Sequence, residues 1–468
     1  WAFDEARRQP AGRGAAAGAW DGQQAHLLVG PGLGLNGNAS DTWGYEPSAA
    51  TWRPLSVAGA PPLRQMTSMV WDDADGEALL FGGRVAGVGA ANDLWALAPT
   101  SSQPPPSPSP TPSAVQKALD IGWVVDNSGS LLVTQQEVSS VQATGATLVR
   151  IDFRLPVGLT SWTPSLLNAY GQAITMFENA GIGVLGLVSF GATGDTNQAD
   201  WQANNHENTG GSGDNPFLNT TYTAALRTLV QTFHGPPYNV KLWEIWNEPN
   251  AYQSCPNGVC IGLSYIYPSN FAALLADSYL AIKGGPSPIA DVTLISGGLF
   301  GHSIIADGGY TSSNSGADYL TATYCMGTGA GSCTAPPALW TAVKQQTGSY
   351  PLDAVGQHLY VDQGGYSTPA TLHAYLDWLR GAYTAAEGAG TPKRTIVTEG
   401  GWATGPGGLT TNQQALNVDA LFWAAQDAGY VAAVTWFQWQ DNPGGNLFYG
   451  LYDSSGAAKP SLARYQAQ

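Results

Sequence analysis

Two glutamates stand apart from the other acids of this chain. Glu248 lies near the end of Lys241–Asn250, KLWEIWNEPN, and Glu399 lies in Thr395–Trp402, TIVTEGGW. Each follows an apolar run of aromatic or β-branched residues, the composition of a buried strand. Each is followed by a breaker: Pro249 cannot donate to a ladder, and Gly400-Gly401 open a turn. A carboxylate at a strand tip is how a parallel barrel presents an acid to a ligand. Two such acids, one protonated and one ionised, can give a proton to a leaving oxygen while attacking the carbon it leaves.

Positioning two strand tips face to face requires a scaffold, and from Ala114 onward strand-like and helix-like stretches alternate. The strands are expected at Ile121–Val125, Thr147–Phe153, Gly183–Phe190, Val240–Trp246, Val292–Gly297, Ala354–Tyr360, Thr395–Thr398 and Ala432–Phe437. Helical periodicity fills the gaps, as at Pro164–Ala180, Thr223–Phe233, Asn270–Ile282, Thr371–Ala386 and Asn412–Ala428. Eight strands in alternation with helices predict an α/β fold, a parallel (β/α)8 TIM barrel, over residues 114–468. A doubly wound open sheet is the structural alternative. No GxGxxG follows the first strand, so a dinucleotide site has no support, and no cofactor is expected.

The other strand tips complete the set. Strand two carries Arg150 and Arg154, strand four ends in Asn247-Glu248, and strand six ends in His358 and Tyr360, which are two apart and therefore on one face. Strand seven ends in Glu399 with Trp402 beyond it, and strand eight carries Trp436 and then Trp439. An arginine, an amide, two carboxylates, a histidine, a tyrosine and stacking tryptophans suit a neutral, hydroxyl-rich ligand. The set does not suit phosphate, nicotinamide or a metal triad, so no metal is expected. Glu244, on the strand of Glu248, is expected to support the site without touching the ligand. Trp123, Trp162, Trp201, Trp243 and Trp340 read as structural.

Composition narrows the partners. The 468-residue chain has only 11% charged residues and a net charge of −16, which excludes a nucleic-acid partner and a polybasic membrane surface. No apolar stretch is long enough to span a bilayer. The chain begins at Trp1 without a basic and apolar leader, and any signal peptide is expected to have been removed. The four cysteines fall in two close pairs, Cys255/Cys260 and Cys325/Cys333, without zinc-site spacing. Two local disulfides in an exported, extracellular protein are expected, with four reduced structural thiols as the alternative. A monomer is expected.

Residues 1–100 repeat themselves with a period of about fifty. Trp1 corresponds to Trp52, Arg13 to Arg64, Trp20-Asp21 to Trp71-Asp72, and Asp41-Thr42-Trp43 to Asp93-Leu94-Trp95. The second copy carries Phe81-Gly82-Gly83 after a hydrophobic strand, where the first has Gly30-Pro31. The segment resembles two kelch repeats, which implies small all-β sheets, an incomplete propeller. Residues 101–113, SSQPPPSPSPTPS, are a Pro/Ser linker.

From about residue 118 onward the chain resembles the clan A retaining glycoside hydrolases, notably the family 5 endoglucanase group and family 39. WNEPN at 246–250 is similar to that clan's acid/base motif, and TEGGW at 398–402 to its nucleophile motif. LVRI at 148–151, HLY at 358–360, TWFQW at 435–439 and the closing KPSLARY at 459–465 extend the likeness. TEGGW departs from the usual nucleophile context of either family. The resemblance implies that Glu248 is the acid/base and Glu399 the nucleophile. It further implies substrate-binding roles for Arg150, Asn247, His358, Tyr360, Trp402, Trp436 and Trp439. The expected activity is a secreted endo-β-glucanase acting on a polysaccharide or oligosaccharide. The runner-up is an exo-acting β-xylosidase, with its loops at 191–221 and 251–269 closing a pocket instead of lining a groove. A carbohydrate-binding protein without catalysis is the alternative of another class.

Overall fold

The computed structural model describes residues 115–194, 217–251, 264–300, 316–330, 339–361 and 363–468, together with strand segments between 13 and 97. The loops expected to shape the cleft fall mostly outside the described residues, at 195–216 and 252–263, as does Trp201. The chain divides into two units, residues 1–113 and 114–466.

The first unit is all-β, and its sequence repeat is visible as a repeat of strands. Gly18–Asp21, His26–Val29, Thr42–Glu46 and Thr51–Leu55 form one antiparallel sheet, and Ser68–Asp72, Glu77–Phe81 and Leu94–Leu97 form another in the same order. Arg64 is fully buried. It pairs with Asp93 at 2.6 Å and also donates to the Gly82 carbonyl. The double glycine is demanded by the backbone: Gly83 lies at φ +95°, and a Cβ there would fall 2.5 Å from Thr67 Cγ2.

The second unit is a closed parallel barrel. Its strands are β1 (Gln116–Gly122), β2 (Leu148–Phe153), β3 (Gly183–Val188), β4 (Leu242–Ile245), β5 (Thr293–Ser296), β6 (Ala354–His358), β7 (Arg394–Gly400) and β8 (Val431–Trp436). Each pairs in parallel with the next, β1 pairs with β8, and the β5–β6 contact at Ile295–Ala354 closes the ring. The doubly wound alternative therefore does not apply. The first strand begins five residues earlier than its expected start at Ile121, and Val125 makes only an isolated bridge to Leu131.

One side chain from each strand fills a layer of the lumen: Ala118, Leu148, Leu185, Leu242, Ile295, Ala354, Ile396 and Ala433. Strand alternation makes this layer the reference for everything above it. The opposite faces pack under the helices α1 (Gln135–Ala143), α2 (Pro164–Asn179), α3 (Thr223–Phe233), α4 (Pro268–Lys283), α5 (Gly316–Thr328), α6 (Leu339–Thr347), α7 (Pro369–Glu387), α8 (Thr411–Ala428) and α9 (Pro460–Gln466). Threonine caps set several helix starts. Thr134 with Glu137 and Thr410 with Gln413 form capping boxes, while Thr163 and Thr368 cap helices that open on proline. Among the described residues no helix is long and apolar enough to cross a membrane. Of the four cysteines only Cys325 lies among the described residues, and it is not a free thiol.

Candidate active site

Two residues beyond the lumen layer, alternation turns Asp120, Arg150 and Glu244 inward on β1, β2 and β4. All three are buried. The Arg150 guanidinium is the hub. Its Nε donates to Glu244 Oε2 at 2.7 Å, its Nη1 to Asp120 Oδ2 at 2.7 Å and Glu399 Oε1 at 2.6 Å, and its Nη2 to Asn247 Oδ1 at 3.0 Å. Charge-assisted contacts of this kind are the strong ones, and arginine's fork can serve several acids at once. Glu244 is also fixed from behind by the Gly298 amide, 2.9 Å from its Oε1.

The two glutamates reach the cleft by different backbone devices. After β4 the chain leaves strand geometry: Trp246 lies at φ +73° and Glu248 at φ +47°, a left-handed conformation that costs a non-glycine residue energy. This turn buries the Trp246 indole, whose Nε1 donates to the Ser264 carbonyl, and leaves Glu248 only partly covered. On β7 simple alternation from Ile396 would turn Thr398 inward and Glu399 outward. Instead the register to β6 passes from Gln357–Val397 directly to His358–Glu399, so Thr398 is an extra residue. A β-bulge of this kind re-aims the side chain that follows it. Here it brings the Glu399 carboxylate to Arg150 and to Tyr360, whose hydroxyl donates to Oε2 at 2.7 Å.

His358 ends β6 and Tyr360 follows two residues later, both on the face of Ala354. His358 is fully buried, with Nδ1 2.9 Å from Glu248 Oε1 and Nε2 3.6 Å from Glu399 Oε1. Gly298 makes room for it, since a Cβ there would fall 1.9 Å from the imidazole Cδ2. One carboxylate oxygen of each glutamate and one imidazole nitrogen all lie within 4.8 Å of one another. Two carboxylates and an imidazole could also attract a divalent cation. The Arg150 guanidinium 2.6 Å from Glu399 would repel one, so the set fits a metal poorly.

Electrostatics separate the two acids. Burial pushes the Glu248 carboxyl up, and it stays above the ordinary glutamate value despite the pull of His358. Burial pushes Glu399 up as well. There the charges of His358 and Arg150, with hydrogen bonds from Tyr360 and Arg150, more than offset it and hold the group below the ordinary value. Burial favours neutral His358, but Glu399 and Glu248 outweigh it and raise its pKa. Burial raises the Tyr360 phenol far above its usual range, and Glu399 adds to that, so it remains a donor. Two carboxylates with pKa values pushed apart form an acid and a base.

Arg150, Asn247, Glu248, His358, Tyr360 and Glu399 thus come together. The tryptophans do not. Trp402 and Trp436 are fully buried, their rings 5.9 Å apart, and their indoles donate to the carbonyls of Val361 and Tyr449. Neither presents a face to a ligand. Counting inward from Ala433 and Thr435, the next ring on that side of β8 is Phe437, half-buried against Tyr449 at 5.5 Å and Tyr360 at 6.3 Å. Trp439 is half-buried and lines a small cavity with Trp123 and Glu137. Arg154 stacks at 3.7 Å over exposed Trp123, at the rim. Asp120, Phe437 and Tyr449 were not among the residues singled out from sequence.

No family model and no curated protein matches the sequence. Among solved structures the chain is similar to aphid myrosinase, with 12% identity over 77% of this chain and 98% of that one and a TM-score of 0.51. It is also similar to a family 39 glycoside hydrolase from the gut symbiont Bacteroides cellulosilyticus WH2, with 15% identity over 98% of this chain and 80% of that one, TM-score 0.46. An endo-β-1,4-glucanase from Xanthomonas axonopodis pv. citri gives 14% identity over 75% of this chain and 98% of that one, TM-score 0.46. At this identity the likeness to the myrosinase supports the barrel fold and nothing finer.

Proposed function

We propose that this chain is a retaining β-glycoside hydrolase acting on a β-linked polysaccharide, with Glu399 as nucleophile and Glu248 as acid/base. The observation that carries the reading is the approach of the two carboxylates to within 4.8 Å, with Glu248 held above and Glu399 below the ordinary value. Retaining enzymes keep their acids about 5 Å apart, whereas inverting ones leave room for a water at roughly 6.5–9.5 Å. In the first step Glu399 bonds to the anomeric carbon as the glycosidic C–O bond breaks, and the Glu248 proton goes to the leaving oxygen. In the second, Glu248 takes a proton from water, the water oxygen bonds to the anomeric carbon, and Glu399 leaves as carboxylate. Asn247 stands where an amide can meet a sugar hydroxyl beside that carbon, and Phe437 supplies the apolar floor. Endo-β-glucanase is the activity to assay first, and β-xylosidase second. Secretion, disulfides Cys255–Cys260 and Cys325–Cys333, and kelch-type N-terminal blades belong to the same reading.

The test follows hydrolysis of carboxymethyl cellulose and of nitrophenyl glucoside and xyloside, with proton NMR on the first product formed. The expected result is a β-anomer, lost in Glu399→Gln. An α-anomer as first product, or binding of polysaccharide without turnover on a panel of β-glucans, xylans and mannans, would sink the reading.

A further inference from the structure

Asp120 is a buried acid that the double displacement does not use, yet it shares one nitrogen with the nucleophile. Arg150 Nη1 donates to Asp120 Oδ2 at 2.7 Å and to Glu399 Oε1 at 2.6 Å. We propose that Asp120 is a positioning residue for Glu399: it limits how tightly Arg150 binds the nucleophile, and it holds the arginine's charge while Glu399 is an ester. The inference rests on the function proposed above.

The guanidinium faces three carboxylates and one amide, and only Glu399 changes covalent state. When Glu399 bonds to the anomeric carbon its negative charge disappears, and Glu248 has passed its proton to the leaving oxygen. A cation buried beside a new ester would be left short of counter-charge, a costly state in a dry site. Asp120 and Glu244 remain to neutralise it. When water displaces the sugar, the Glu399 charge returns and Arg150 is shared again. The groups facing Asp120 are Arg150 and Asp152 from β2 and Glu399 from β7. Those facing Glu399 are Arg150, His358, Tyr360, Glu248, Asp120 and Tyr449. Burial raises Asp120 to about 6 against the pull of Arg150, in keeping with an acid whose charge depends on its neighbour's.

The test is Asp120→Asn, which keeps shape and removes charge. Arg150 then holds Glu399 harder, making it a weaker nucleophile and a better leaving group. Asp120 carries its charge only above about pH 6, so kcat/KM of the variant should drop below that of the unaltered chain as pH rises through 6, and the two should converge at lower pH. Glycosylation should slow by about tenfold, and the pre-steady-state burst with a dinitrophenyl glycoside should shrink. A folded D120N whose kcat/KM matches the unaltered chain above about pH 6, or is lowered equally at every pH, overturns the inference while leaving the glycosidase reading intact. An unaltered chain that hydrolyses no glycoside overturns both. Should D120N fail to fold, Asp120→Ser carries the same expectations and the same overturning results.

Discussion

His358 Nδ1 lies 2.9 Å from Glu248 Oε1, and the other ring nitrogen lies 3.6 Å from Glu399 Oε1, so one buried imidazole faces both carboxylates of the site. Its charge lowers the pKa of each of them. Replacing it removes that pull from both acids at once. His358→Asn should therefore move both limbs of the kcat/KM profile to higher pH, by about 1 unit each. Activity at the optimum should fall by about tenfold or more. One limb moving while the other stays fixed would show that the histidine acts on one acid alone. The measurement is a pair of pH profiles on a nitrophenyl glycoside.

Under the proposed function the unaltered chain should show a bell-shaped pH profile. The proposed mechanism needs Glu399 ionised and Glu248 protonated, and their pKa values are displaced downward and upward from the ordinary glutamate value. The acid limb should lie below that value and the alkaline limb above it, because loss of the Glu248 proton removes the acid. Glu248→Gln deletes the titrating acid. With a dinitrophenyl leaving group, which needs no proton, glycosylation in that variant should persist without an alkaline limb. With an unactivated glycoside, turnover should fall by about 10² or more.

How far the site could be read from sequence depended on backbone regularity. His358 and Tyr360 sit two apart at the end of β6, so period-two counting placed them on one face with Ala354. Arg150 follows Leu148 in the same way. Glu399 was picked out as the acid that ends an apolar run before Gly400-Gly401, although alternation from Ile396 points it out of the barrel. The extra Thr398 that turns it inward has no local sequence signature. Asp120 was missed because the first strand was expected to begin at Ile121, which left Asp120 outside it. Trp436 was chosen through the resemblance carried by TWFQW, whereas the inward parity of Ala433 and Thr435 selects Phe437.

That parity separates two aromatic neighbours experimentally. Trp436 is fully buried and bonded to the Tyr449 carbonyl, while Phe437 is half-buried beside Tyr360 and Tyr449. Trp436→Ala should cost about 3–5 kcal/mol of stability through the cavity it opens. Phe437→Ala should cost much less stability but lower kcat/KM, by about tenfold, as the floor beneath the sugar is lost. Denaturant melts and steady-state kinetics on both variants decide the matter. A Phe437 variant with unchanged kinetics would remove that ring from the site.

Asp277 on α4 offers a stability test independent of catalysis. Burial alone pushes its carboxyl from 3.8 to about 6. A carboxyl with a raised folded value binds its proton more tightly in the native state. Folding is therefore unpenalised while the group is protonated, below about pH 4, and loses stability as pH rises through about 6. Two units correspond to about 3 kcal/mol as an upper limit, and partial exposure reduces this to about 1–2 kcal/mol. Asp277→Asn carries no such penalty. Urea unfolding should show the variant more stable than the unaltered chain at pH 7.5 by about that amount, with the gap closing at pH 4. A gap of equal size at both pH values would mean that the substitution acts through packing and not through charge.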